Sequence, residues 1–146
     1  MGVVKTPRKR TAQVCSAAAG AAMLLPWHVN AGLGGNQTVL GIEVTEGRLI
    51  IAACAVTIGL IHIDWRPAWI GAGFAGAIAV REVFAPSGIG PPGRPPDPGI
   101  GIWTAVIAAG IAAVLLVWDM LVDISGTGDD EDPPRRGLSG PLGRRR

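Results

Sequence analysis

The stretch IGIWTAVIAAGIAAVLLVW, residues 100–118, decides how the rest of the chain is read. Its nineteen positions carry no charge. At about 1.5 Å per residue they reach roughly 28 Å, close to the hydrocarbon thickness of a bilayer. This segment alone reads as a membrane crossing. With Asp119 at the interface it extends to Val122. Trp103 and Trp118 stand near its ends, where an indole ring meets lipid and its N–H meets water.

Moving back along the chain, residues 67–84 form a second apolar segment, opened by Pro67 where a missing N–H costs nothing and closed by the charged pair Arg81-Glu82. Before it, residues 49–63 are apolar and bounded by Arg48 and Asp64, giving a helix over 48–63. Its apolar part, at about 22 Å, is short of the hydrocarbon core. The Arg48 stem and an interfacial turn Asp64-Trp65-Arg66-Pro67, anchored by Trp65 and Trp69, make up the difference. Farthest back, residues 11–27 follow the basic cluster Lys5, Arg8, Lys9 and Arg10. A signal peptide is the competing reading. It is disfavoured because the most hydrophobic part, Met23-Leu24-Leu25, lies after the small-residue stretch that could be cut. Pro26-Trp27 then closes the first helix at the outer interface.

The expected fold is all-α: a four-helix transmembrane bundle over residues 11–124, with helices at about 11–27, 48–63, 67–84 and 100–122. Residues 1–10 form a basic N-terminus, and residues 125–146, rich in Gly, Pro, Asp and Arg, form a disordered tail. Residues 28–47 read as a Gly-rich loop with room for a short external β-hairpin at 38–45, where Val39, Ile42 and Val44 are strand-like. Residues 85–99, with six prolines, read as a stiff extended loop.

Composition agrees. Hydrophobic residues make up 49% of the 146 and charged residues 16%, and the charges cluster in the two tails and the connecting stretches. The net charge of +2 sits mainly in those tails, which speaks against a nucleic-acid surface. Arg outnumbers Lys, and Ala, Gly and Pro abound, as in high-GC prokaryotic genomes. Cys15 and Cys54 fall inside apolar segments, where a structural disulfide is not expected.

Positive charge near helix ends stays in the cytoplasm. With both termini inside, ten of the thirteen Lys and Arg are cytoplasmic, and only Arg48, Arg81 and Arg94 lie outside. The expected location is therefore the cell membrane, multi-pass, with both loops outside. There Glu43 and Glu46 could pair with Arg48 and Arg81 in an outer cap.

Gly71, Gly73, Ala75, Gly76 and Ala77 give small-xxx-small spacings that let helices approach closely, and Gly110, with Ala109, Ala112 and Ala113, suits the same contact. Packing within the bundle is the first reading, and a face for a homo-oligomer or a larger membrane complex the second. His62 and the pair Asp119 and Asp123 read as solvated helix-end groups. His28 with Glu43 and Glu46 offers metal-ligand types at a spacing that matches no known site. Asn36-Gln37-Thr38 fits a glycosylation sequon in an external loop.

No catalytic, cofactor-binding or metal motif is legible, and no enzymatic role or cofactor is expected. The partners expected are the lipid bilayer and another membrane protein or copy of the chain. The function expected is that of a noncatalytic structural or accessory subunit. Alternatives are a small-solute or ion conductor formed by oligomerisation, and a membrane component of a viral or envelope assembly. A conductor needs a polar stripe, and only Thr57, Thr104 and Ser16 are available.

Three motifs carry a resemblance: Leu24-Leu25-Pro26-Trp27, then Gly41-Ile42-Glu43-x-x-Glu46-Gly47, then Pro98-Gly99-Ile100-Gly101-Ile102-Trp103. Over roughly residues 11–122 the chain resembles small four-helix membrane proteins of actinobacteria and haloarchaea, departing from them in its Pro-rich loop. The resemblance implies the topology and no mechanism. Gly41 and Gly47 would permit a tight return of the chain, and Gly99 and Gly101 a close re-entry to the bundle.

Overall fold

The computed structural model describes residues 6–32, 35–86 and 96–125, with the side chains of residues 30–37 excepted. The tail from residue 126, most of the Pro-rich loop and the Asn36 side chain lie outside the described residues.

Among the described residues the fold has four α-helices and one small sheet. Helix α1, Pro7–Ala21, starts earlier than the apolar run because Thr6 and Pro7 form its cap: the Thr6 hydroxyl accepts from the Lys9 N–H at 3.3 Å, and Pro7 takes the first helical position. A 3-10 turn, Ala22–Leu24, ends it. Helix 1 therefore stops short of the expected residue 27. Pro26 opens strand β1, Pro26–Gly32, which pairs antiparallel with β2, Gly35–Leu40.

The hairpin thus precedes the expected 38–45. Residues Gly41–Glu43 turn as a 3-10 helix, tied by the Leu40 N–H donating to Glu43 Oε2 at 2.9 Å, and Thr45 already belongs to α2, Thr45–His62. A third strand, β3, Asp97–Pro98, lies on the other side of β1, giving the order β2-β1-β3. Helix α3 spans Trp69–Phe84 and α4 spans Ile100–Ile124.

The tight α2–α3 turn has a specific geometry. Asp64 adopts φ 59°, the Trp65 N–H donates to the Leu60 carbonyl at 2.9 Å and the Asp64 N–H to the Ile61 carbonyl at 3.3 Å. This is the hydrogen-bond pattern of a Schellman cap, with Asp64 where glycine usually sits.

Each helix packs on its neighbours in chain order and α4 closes onto α1, making a ring of four. Two core clusters fix the directions. Ala19, Met23, Ile50, Ala79 and Ile102 pack together at one end. Ala12, Ile61, Ala68, Ala72 and Leu116 do so at the other. Helix ends therefore alternate, up and down. Alanine dominates this interior, at Ala12, Ala53, Ala75, Ala105 and Ala112 among others, while Val14, Val56, Ile70, Phe74, Ile107 and Val114 face outward.

Among the described residues two helices are long and apolar enough to cross a membrane by length and composition: α2, with mean hydropathy 1.4, and α4, with 2.5. Helices α1 and α3 are shorter, at 15 and 16 residues.

Candidate functional site

Of the polar side chains the bundle buries, the ionisable ones His28, Glu82 and Asp119 lie at its two ends, whereas Ser16 and Thr57 lie within α1 and α2. At the sheet end, the register of β1 on β2 slips between Pro26 and His28, so that Trp27 is an extra residue on its strand. Consecutive side chains of a regular strand point to opposite faces. A bulge breaks that alternation, and here both Trp27 and His28 are buried, 0% and 3% exposed. Their rings meet edge to face with centroids 6.3 Å apart. The expectation that Trp27 anchors at the interface is therefore corrected: its ring belongs to the core.

His28 Nε2 lies 3.6 Å from Glu82 Oε2 of α3, an electrostatic contact longer than a hydrogen bond. Glu82, read as part of the charged end of the third segment, is 1% exposed. His28 of β1 is the strand residue that meets this carboxylate. Arg81 NH1 stands 3.7 Å from Glu82 Oε1 with its own side chain largely exposed. Burial pushes the His28 pKa below its ordinary value, with the Glu82 and Glu46 carboxylates pulling the other way.

Glycines let the backbones close around this pair. The Gly99 N–H donates to the Trp27 carbonyl at 2.8 Å, and a Cβ at Gly99 would overlap the Pro26 carbonyl oxygen. A Cβ at Gly101 would lie 2.8 Å from the Ala22 oxygen, and one at Gly47 would overlap the Gly41 carbonyl. The three motifs that carry the resemblance thus meet at one end of the bundle.

At the opposite end Lys9 Nζ reaches Asp64 Oδ1 at 2.5 Å and Asp119 Oδ2 at 3.4 Å, and the Thr6 hydroxyl donates to Asp119 Oδ1 at 3.0 Å. Asp119, expected to be solvated, is 6% exposed. One lysine thereby joins the start of α1, the α2–α3 turn and α4. Asp123 and His62 are exposed, as expected of helix-end groups.

The outer cap of Glu43 and Glu46 with Arg48 and Arg81 does not form among the described residues. Arg48 Nε donates instead to the Ile42 carbonyl at 3.0 Å, and Glu43 holds the Leu40 N–H. No group of three or more His, Cys, Asp or Glu placed to hold a metal occurs among the described residues, and His28 faces Glu82 rather than Glu43.

Of the small residues in α3, Gly71 sits against Thr57 and Ala53 of α2, Gly76 lies 3.7 Å from the Ala109 methyl of α4, and Ala75 is fully buried. Gly73 and Gly110 have no neighbour within 4 Å of a would-be Cβ, and Ala77 is exposed. Trp65, Trp103 and Trp118 are exposed by 55%, 48% and 58%, and Trp69 is half-buried.

Sequence reasoning missed the His28–Glu82 pair. Its one local signal was a carboxylate directly after Arg81 near the end of an apolar helix. The chain matches no family model, no curated protein and no solved structure.

Proposed function

We propose that the chain is a noncatalytic integral membrane protein that crosses the bilayer four times, with both termini in the cytoplasm. In this reading it is a structural or accessory subunit that packs with itself or within a larger membrane complex. The observation that carries the reading is the partition of side-chain size. Small residues fill the interior while Leu, Ile, Val, Phe and Trp cover the outside, and only 33% of the apolar window in each of α2 and α4 is buried. A core helix of a soluble protein buries most of such a window, and a soluble surface avoids large continuous apolar patches. In lipid the same arrangement is favourable, because close packing of small residues holds helices together.

Helices α1 and α3 run alongside the other two in one ring and carry their own outward apolar residues, Val14, Ile70, Phe74 and Val80. The ionisable contacts favour a structural role, since they tie one element to another: His28 to Glu82, and Lys9 to Asp64 and Asp119. The conductor reading has less support. The hydroxyls of Thr57 and Thr104 donate to the Ala53 and Ile100 carbonyls of their own helices, and Ser16 is buried.

Alkaline carbonate extraction of membranes tests the first part: the protein stays in the pellet, and release into the wash would contradict it. Native mass spectrometry after purification in mild detergent tests the second. An oligomer or a complex supports the accessory role, and a monomer alone contradicts it.

A further inference from the structure

The bulge in β1 encloses two ring nitrogens that lack a partner. Trp27 Nε1 and His28 Nδ1 are buried, in residues 0% and 3% exposed, and neither is hydrogen-bonded to any of the described residues. A buried polar atom is nearly always paired, with protein or with ordered water, because an unpaired one loses its hydration and gains nothing in return. Two on consecutive residues mark a place where a small polar molecule completes the bonding.

Glu82 decides what each nitrogen offers. Its Oε2 faces His28 Nε2 at 3.6 Å, and a carboxylate accepts without donating, so the neutral imidazole keeps its one N–H on Nε2. His28 Nδ1 is then a bare acceptor. The Trp27 indole offers the opposite, an N–H that donates and accepts nothing. The two rings meet edge to face with centroids 6.3 Å apart. What completes them must accept from one ring and donate to the other.

We propose that the bulge holds one internal water, which accepts a hydrogen bond from Trp27 Nε1 and donates one to His28 Nδ1. Water is the smallest molecule that does both. Bound there, it keeps the imidazole in the Nε2–H tautomer from one side while Glu82 keeps it so from the other. The slip in register serves this arrangement, since a regular strand would turn one of the two rings away.

The test is NMR of the full chain in mild detergent, labelled with the heavy nitrogen isotope. Trp65, Trp103 and Trp118 are exposed and Trp69 is half-buried, so changing these four to Phe leaves Trp27 as the single indole. Its N–H proton shows a rotating-frame cross-peak to water opposite in sign to the diagonal, which separates a bound water from proton exchange. At about pH 8, where the imidazole is neutral, His28 carries its proton on Nε2 and the Nδ1 resonance shifts as a hydrogen-bonded acceptor. His28→Phe removes the acceptor and with it the water cross-peak. An indole proton without that cross-peak overturns the proposal, and so does a proton on Nδ1. Retention of the cross-peak in His28→Phe overturns it as well, since the water would then not join the two rings.

Discussion

His28 and Glu82 meet at 3.6 Å, each nearly without solvent contact, and join a strand between α1 and α2 to the last turn of α3. Breaking a buried pair from one side removes compensation from the other partner, although Arg81 still faces Glu82 at 3.7 Å. His28→Leu is expected to cost about 3 kcal/mol in thermal or denaturant unfolding. The double variant His28→Leu with Glu82→Leu costs less than the sum of the two single changes, by about 1–3 kcal/mol. Strict additivity would mean that the two side chains do not interact.

The same pair sets a pH dependence. Burial holds the folded His28 pKa below its ordinary 6.5, opposed in part by Glu82 and then Glu46. Between the lowered folded value and 6.5 the unfolded chain binds more protons than the folded one, so acid favours unfolding. The contribution of His28 is fully present above about 6.5 and is lost as pH falls through that value toward the folded pKa. Melting temperature therefore drops on acidification, and by less in His28→Leu; an identical drop in both chains would exclude His28 as the source.

Lys9 grips two carboxylates of unequal burial. Asp119 is 6% exposed and also accepts from Thr6, so Asp119→Ala is expected to cost about 1–3 kcal/mol. The Asp64 side chain is 46% exposed, and its ion pair is worth about 0–1 kcal/mol. Asp64→Gly loses that pair but relaxes the backbone at φ 59°, and comes out close to neutral. Asp64→Ala keeps the strain and is the worse of the two. Unfolding of the three variants checks the order.

The glycines divide sharply. Gly47→Ala and Gly99→Ala place a methyl on a backbone carbonyl and are expected to cost 2 kcal/mol or more, roughly the upper range for overpacking. Gly110→Ala meets nothing within 4 Å and gains up to about 1 kcal/mol of helix propensity. Comparable losses at Gly110 and Gly47 would mean that Gly110 packs against something beyond this chain.

Helix α4 was legible because its signal is continuous and local: it begins at Ile100, where it was expected, and runs two residues past Val122. The tight turn after α2 was legible for the same reason, from Asp64 through Pro67. Trp27 and Glu82 were not. A tryptophan after proline at the end of an apolar run looks like an interfacial anchor, and only the pairing of β1 with β2, and the slip it contains, turns it inward. Glu82 directly follows Arg81 near the end of α3, and the residue it meets, His28, comes from a strand far earlier in the chain. Asp119 was misread likewise, since its partners Thr6 and Lys9 come from the opposite end of the sequence. Gly41, Gly47, Gly99 and Gly101 were read correctly as sites of close approach, although their convergence on one end was not visible.

The central claim is the fourfold crossing, and labelling from outside the cell tests it directly. In a chain with Cys15 and Cys54 replaced by alanine, single cysteines at Thr38, Arg66, Pro86 and Ser125 are exposed to a membrane-impermeant maleimide. Thr38→Cys and Pro86→Cys react in intact cells, whereas Arg66→Cys and Ser125→Cys react only after permeabilisation. Labelling of Arg66→Cys in intact cells, on the same side as Thr38→Cys, would contradict the account.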